Sequence, residues 1–110
     1  MKTSHSELAG ERCTANATAL NADEVATLMA LLPKWSRAGA AIERNFKFKD
    51  FHATIGFVNA LAWVANREDH HPDLGVGYDH CKVKWSTHSA GGLTRNDFIC
   101  AARSDALVDA

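Results

Sequence analysis

The chain has 110 residues, with 12 Lys and Arg against 13 Asp and Glu, a formal charge of −1 and an apolar fraction of 46%. That length supports one hydrophobic core and not two, and the near-zero charge excludes a general nucleic-acid binder and a polybasic membrane binder. No apolar run approaches the roughly 20 residues of a spanning helix, and Met1 to Glu7 hold no apolar leader core, so a cytoplasmic protein is expected.

Residues 1–19 show no periodicity and are expected to form a flexible N-terminal arm, leaving 20–110 as a single domain. A first helix starts behind Asn21, with Glu24 at the capping-box position and Leu20 and Val25 as a staple. Val25, Leu28, Met29 and Leu32 follow at helical spacing until Pro33 stops the run. Residues 35–38 and 42–48 read as a hairpin about Gly39-Ala40, with Phe46 and Phe48 on one face. Asp50 caps a long helix over 51–68, whose apolar stripe is read as Phe51, Ile55, Val58, Ala62 and Ala65, widened by Leu61 and Trp63. Leu74, Val76 and Tyr78 alternate, as do Cys81, Val83, Trp85 and Thr87, so a second hairpin is expected with Asp79-His80 at its turn. Gly91-Gly92 breaks the strand, and Thr94 with Asp97 makes a capping box for a last helix through Phe98, Ile99, Ala102 and Leu107.

The order α-β-β-α-β-β-α predicts an α+β two-layer domain, a four-stranded antiparallel sheet with helices packed on one face. Its exposed sheet edges invite a second copy, so a homodimer or homotetramer is expected. Cys13, Cys81 and Cys100 are an odd, unpatterned set. They read as reduced thiols, with Cys81 and Cys100 buried as small hydrophobes.

Chemistry concentrates in residues 66–97, where His70, His71 and His88 lie at two polar corners. Imidazole gives and takes protons near neutrality. His70 and His71 are adjacent and cannot face each other. Together with His88 and His80 they match no recognised metal spacing, so no metal site is expected. The bland alternative is a polar loop with incidental histidines; His5 and His52, which have no companions, read as surface or core residues. The acid–base reading pairs His70 with His88, brought together at the mouth of the second hairpin, with His71 assisting.

His70-His71-Pro72, the aromatic Tyr78, Thr87-His88 and Gly92-Leu93-Thr94-Arg95-Asn96-Asp97 stand in a distinctive order. With Leu32-Pro33-Lys34-Trp35 and Phe46-Lys47-Phe48-Lys49-Asp50-Phe51, they make residues 20–107 resemble the pterin-4a-carbinolamine dehydratase family. The resemblance implies dehydration of 4a-hydroxytetrahydrobiopterin to quinonoid dihydropterin and water, without metal or cofactor. It implies a functional link to an aromatic amino-acid hydroxylase, whose pterin would be recycled. It places catalytic histidines at His70, His71 and His88, and pterin contacts at His70, His71, Pro72, Thr87, His88, Ser89 and Ala90. Asp69 and Asp97 are supporting carboxylates in this reading, although the capping box alone explains Asp97. Asn66 departs from the pattern, because many relatives carry glutamate there. Two other readings stay open. One is related pterin processing in molybdenum-cofactor metabolism; the other is a non-enzymatic dimerisation or protein-binding module, as some family members are for a transcription factor.

Overall fold

The alternation in 81–87 builds the centre of the sheet. In the computed structural model, which describes residues 3–109, four strands pair antiparallel in the order β1-β2-β4-β3. They are β1 (Ser36–Ala38), β2 (Ala41–Lys47), β3 (Asp73–Val76) and β4 (His80–Ser86). The register sets Ile42 opposite Trp85, Arg44 opposite Val83 and Phe46 opposite Cys81. One face therefore collects Ile42, Phe46, Cys81, Val83 and Trp85, all buried. Lys82 and Lys84 take the other face with Glu43, and Lys82 Nζ lies 2.7 Å from Glu43 Oε2. A one-residue slip would invert both faces, so burial fixes the register.

The helices α2 (Ala22–Met29), α3 (Phe51–Glu68) and α4 (Arg95–Ala106) bury their apolar residues in one core with that face. The expected capping box closes at α2: Asn21 Oδ1 accepts from Glu24 N at 2.8 Å and Glu24 Oε1 from Asn21 N at 3.0 Å. Asp50 Oδ1 caps α3 by accepting from Ala53 N at 2.8 Å. With a further short helix, these make the α+β, four-helix, open antiparallel architecture.

That further helix corrects one expectation. The segment read as a flexible arm carries α1 (His5–Gly10), capped by Ser4, with Leu8 fully buried in the common core. Beyond it, Thr14 and Asn96 exchange two hydrogen bonds, 3.0 Å from Thr14 N to Oδ1 and 2.8 Å from Nδ2 to Thr14 O. A six-residue helix with one apolar anchor has no period to read, so residue 20 marks no structural boundary. Met1 and Lys2 of the expected arm, and Ala110 of the expected domain, lie outside the described residues.

The face of α3 is a second correction. Its buried residues are Thr54, Phe57, Leu61, Val64, Ala65 and Glu68, while Phe51 is 49% and Trp63 62% exposed. The helix is apolar on two sides, and the side that packs includes polar Thr54, whose hydroxyl donates to Asp50 O at 2.8 Å or Tyr78 O at 3.0 Å. The second hairpin also turns over four residues rather than two: Val76 pairs with Cys81, and Gly77 N donates to His80 O at 2.9 Å.

Candidate active site

The site begins where α3 ends. Asp69 adopts a left-handed conformation (φ 51°, ψ 43°), and the next amide, His70 N, reaches back to Ala65 O at 3.1 Å. This is the reversal that closes many helices, usually made by glycine. It throws the His70 imidazole over the indole of Trp85, with centroids 5.4 Å apart and planes 14° from parallel. Trp85 is fully buried, so it gives the ring a rigid floor.

Asp97 holds the outer edge of that ring. It is fully buried in the first turn of α4, and its Oδ1 lies 2.7 Å from His70 Nε2. Its Oδ2 accepts from Thr87 Oγ1 at 2.8 Å and from Thr94 N at 2.9 Å. The hydroxyls of Thr87 and Thr94 also meet, at 3.0 Å. A carboxylate only accepts, so Oδ1 calls for the proton on Nε2, and a neutral ring in this position carries its lone pair on Nδ1.

The other two imidazoles are exposed. His71 Nε2 lies 3.1 Å from Asn66 Oδ1, so the residue that departs from the family pattern is the one touching His71. His88 opens a short 3-10 turn (His88–Ala90), with Nε2 3.3 Å from Ser86 Oγ. Gly91 ends that turn at φ 73°, a conformation glycine takes without strain. The expected meeting of His70 and His88 is indirect: Asp97 joins His70 to Thr87, the residue before His88, and no hydrogen bond links the two rings.

Pro72, Thr87 and Ala90 are half-buried along this rim, and Ser89 is exposed. Asp69 is exposed and shapes the turn through its backbone; its side chain makes no hydrogen bond to the described residues. Trp85 was legible only as a core residue of the strand, because its stacking partner lies 15 residues away across a reversal. Among the described residues, no group of three or more His, Cys, Asp or Glu is arranged to hold a metal ion. A groove of about 710 Å³ runs between α2 and the N-terminal segment, lined by Leu20, Asp23, Thr27, Leu28, Leu31 and Arg95 among others. None of its lining residues is a histidine, so the chemistry points instead to the open shelf around His70.

Fold and site together define a small α+β domain that presents a buried carboxylate paired with a half-buried imidazole, and two open imidazoles, at one end of its sheet. The family model described as pterin 4 alpha carbinolamine dehydratase matches residues 18–107, and the chain belongs to that family. A Stenotrophomonas maltophilia (strain K279a) protein, provisionally named a pterin-4-alpha-carbinolamine dehydratase, is 58% identical over 87 residues, 77% of this chain and 75% of the relative. A Nitrosospira multiformis protein with the same provisional name is 46% identical over 110 residues, 97% of each chain. The Brucella melitensis crystal structure of a "transcriptional coactivator/pterin dehydratase" superposes with a TM-score of 0.78 at 34% identity, over 82% of this chain and 98% of that one. A pterin dehydratase-like protein identified as a RuBisCO assembly factor in the alpha-carboxysome shares the fold, with a TM-score of 0.57 at 23% identity over 66% of this chain and 84% of that one. Among the described residues, no helix is long and apolar enough to cross a membrane.

Proposed function

We propose that this chain is a hydro-lyase that dehydrates 4a-hydroxytetrahydrobiopterin to quinonoid dihydropterin and water by histidine acid–base catalysis. The observation that carries the reading is His70, fixed between buried Asp97 and Trp85 with one nitrogen left free, in a chain of this family. The carbinolamine must lose hydroxide from C4a and a proton from N5. His70 Nδ1 takes the N5 proton, and the resulting imidazolium rests against the Asp97 carboxylate. His88 gives its proton to the departing hydroxyl, which leaves as water. Exchange with solvent restores both rings, and His88 is exposed enough to do so. Positioned acid–base groups of this kind contribute on the order of 10²–10⁴ in rate. His71, held by Asn66, orients the pterin along a rim formed by Pro72, Thr87, Ser89 and Ala90.

In this reading the protein works in the cytoplasm and returns pterin to an aromatic amino-acid hydroxylase. It acts as a homodimer or homotetramer. Support for assembly comes from edge strand β3, where Leu74 is 38% and Val76 43% exposed, and from the uncovered Phe51 and Trp63 of α3. Exposed apolar edges of this kind pair with a second copy; a single-chain mass in sedimentation would contradict it.

The test of the function is the rate of quinonoid dihydropterin formation from freshly generated 4a-hydroxytetrahydropterin, with and without purified protein. Acceleration that His88→Ala abolishes, in a variant that stays folded, is the expected outcome. No acceleration by the parent protein refutes the proposal. A parent rate retained by His88→Ala refutes the role given to His88.

A further inference from the structure

The site leaves two cysteines unused, and they touch. Cys13 Sγ lies 3.5 Å from Cys100 Sγ, although 87 residues separate them in sequence. Cys100 is fully buried one turn beyond Asp97 on α4, whereas Cys13 is half-buried. The third thiol, Cys81, is buried under the sheet and has neither as a partner.

Cys13 is held in that position by its neighbours. Its backbone N–H donates to Glu68 Oε1 at 2.8 Å, and Arg12 Nε lies 2.8 Å from Glu68 Oε2. Arg95 clamps the Glu11 carboxylate with two hydrogen bonds of 2.7 Å, and Arg103 donates to Glu11 O. Residues 11–14 thus form a strap across the end of α3 and the flank of α4, the elements that supply His70 and Asp97. A disulfide requires the sulfurs to close to about 2.0 Å. The two sulfurs start 3.5 Å apart, so closure requires them to approach further by side-chain rotation or a shift of the strap.

We propose that Cys13 and Cys100 form a reversible disulfide that locks the N-terminal strap onto α4, with a peroxide as oxidant. Cys13, the more accessible sulfur, attacks the peroxide as thiolate, breaks the O–O bond and becomes a sulfenic acid. Cys100 Sγ then attacks the Cys13 sulfur, the S–O bond breaks, and the hydroxyl leaves with the Cys100 proton as water. One peroxide is reduced to two waters and two thiols become one disulfide. A dithiol reverses the bond, itself becoming a disulfide. The Cys13 sulfur and burial both hold Cys100 as a protonated thiol, so Cys100 is not the sulfur that meets the peroxide first.

The test treats the protein with stoichiometric hydrogen peroxide and follows intact mass, peptide mapping under non-reducing conditions and melting temperature. The expected result is a monomer lighter by two hydrogen atoms, a cross-linked Cys13–Cys100 peptide, and recovery with dithiothreitol. The closed loop raises the melting temperature by roughly 10 °C or more. Cys13→Ser, at a half-buried position that tolerates the change, should fold, form no such peptide and show no such shift. Sulfinic or sulfonic acid at Cys13 with Cys100 free, a bond between two chains, or unreacted thiols in the parent would each overturn the proposal. Turnover is not the readout, so the result is independent of the dehydratase assignment.

Discussion

Replacing Asp97 with Asn changes one oxygen for an NH₂ group and little in shape, so it isolates what the carboxylate does. The parent residue is fully buried and accepts from Thr87, Thr94 and His70, two donors on Oδ2 and one on Oδ1. An amide supplies one acceptor oxygen. If that oxygen stays toward Thr87 and Thr94, its NH₂ faces His70 Nε2, and the ring must move its proton to Nδ1 to accept. The network then survives with neutral instead of charge-assisted bonds, at a cost of about 1–3 kcal/mol. In a domain of this size that lowers the melting temperature by roughly 5–15 °C. Catalysis suffers more, because the lone pair assigned to the N5 proton is now occupied. The rate should fall by about 10²–10⁴, the usual worth of a positioned base. Pterin affinity should hardly change, since Pro72, Ser89 and Ala90 are untouched and the oxygen facing Thr87 is kept. The assays are stopped-flow dehydration, pterin binding by fluorescence and urea unfolding. An Asp97→Asn protein that unfolds early but turns over at the parent rate would refute the tautomer argument and reduce Asp97 to a helix cap.

Two further predictions concern the carboxylates beside the site. Burial pushes the Glu68 carboxyl up, but the Cys13 N–H and the Arg103 and Arg12 charges outweigh it and hold it below the ordinary 4.5. The strap's contribution is therefore complete above pH 4.5 and fades as pH falls through the lower folded value. The melting temperatures of parent and Glu68→Gln should accordingly converge in acid; a constant gap across that window would contradict the ion pair. Asp69→Gly relieves a left-handed non-glycine residue, so it should stabilise by about 0.5–1 kcal/mol in urea unfolding and leave turnover unchanged. A large loss of turnover would instead put the Asp69 carboxylate in the reaction.

Where the sequence carried a strict period and a buried partner, the fold was readable. Cys81, Val83 and Trp85 alternate with Lys82 and Lys84, and both hydrophobic and charged faces agree on one register. The α3 face was not readable, because apolar residues occur on both sides of that helix. What selects the packed side is distant: Tyr78 O lies 3.0 Å from the Thr54 hydroxyl, and Cys13 N meets the Glu68 carboxylate. Polar residues in a stripe count against it until such partners are known. The N-terminal segment failed for the same reason, since its hold on the domain rests on Leu8 and on bonds to Arg95, Asn96 and Arg103 rather than on its own pattern.

The histidines and a division of roles among them were readable, but the geometry that separates them was not. The left-handed turn at Asp69 sends His70 over Trp85 and leaves His71 at the surface with Asn66. Asp97 shows most clearly why spacing alone falls short. Its position three residues after Thr94 explains a cap, and Thr94 N does donate to Oδ2. That bond occupies one oxygen and orients the carboxylate, with Thr87 on the same side. Oδ1 is then directed at His70. The cap and the imidazole contact are therefore two ends of one group. The helix start that makes Asp97 structurally necessary also aims its second oxygen at the ring.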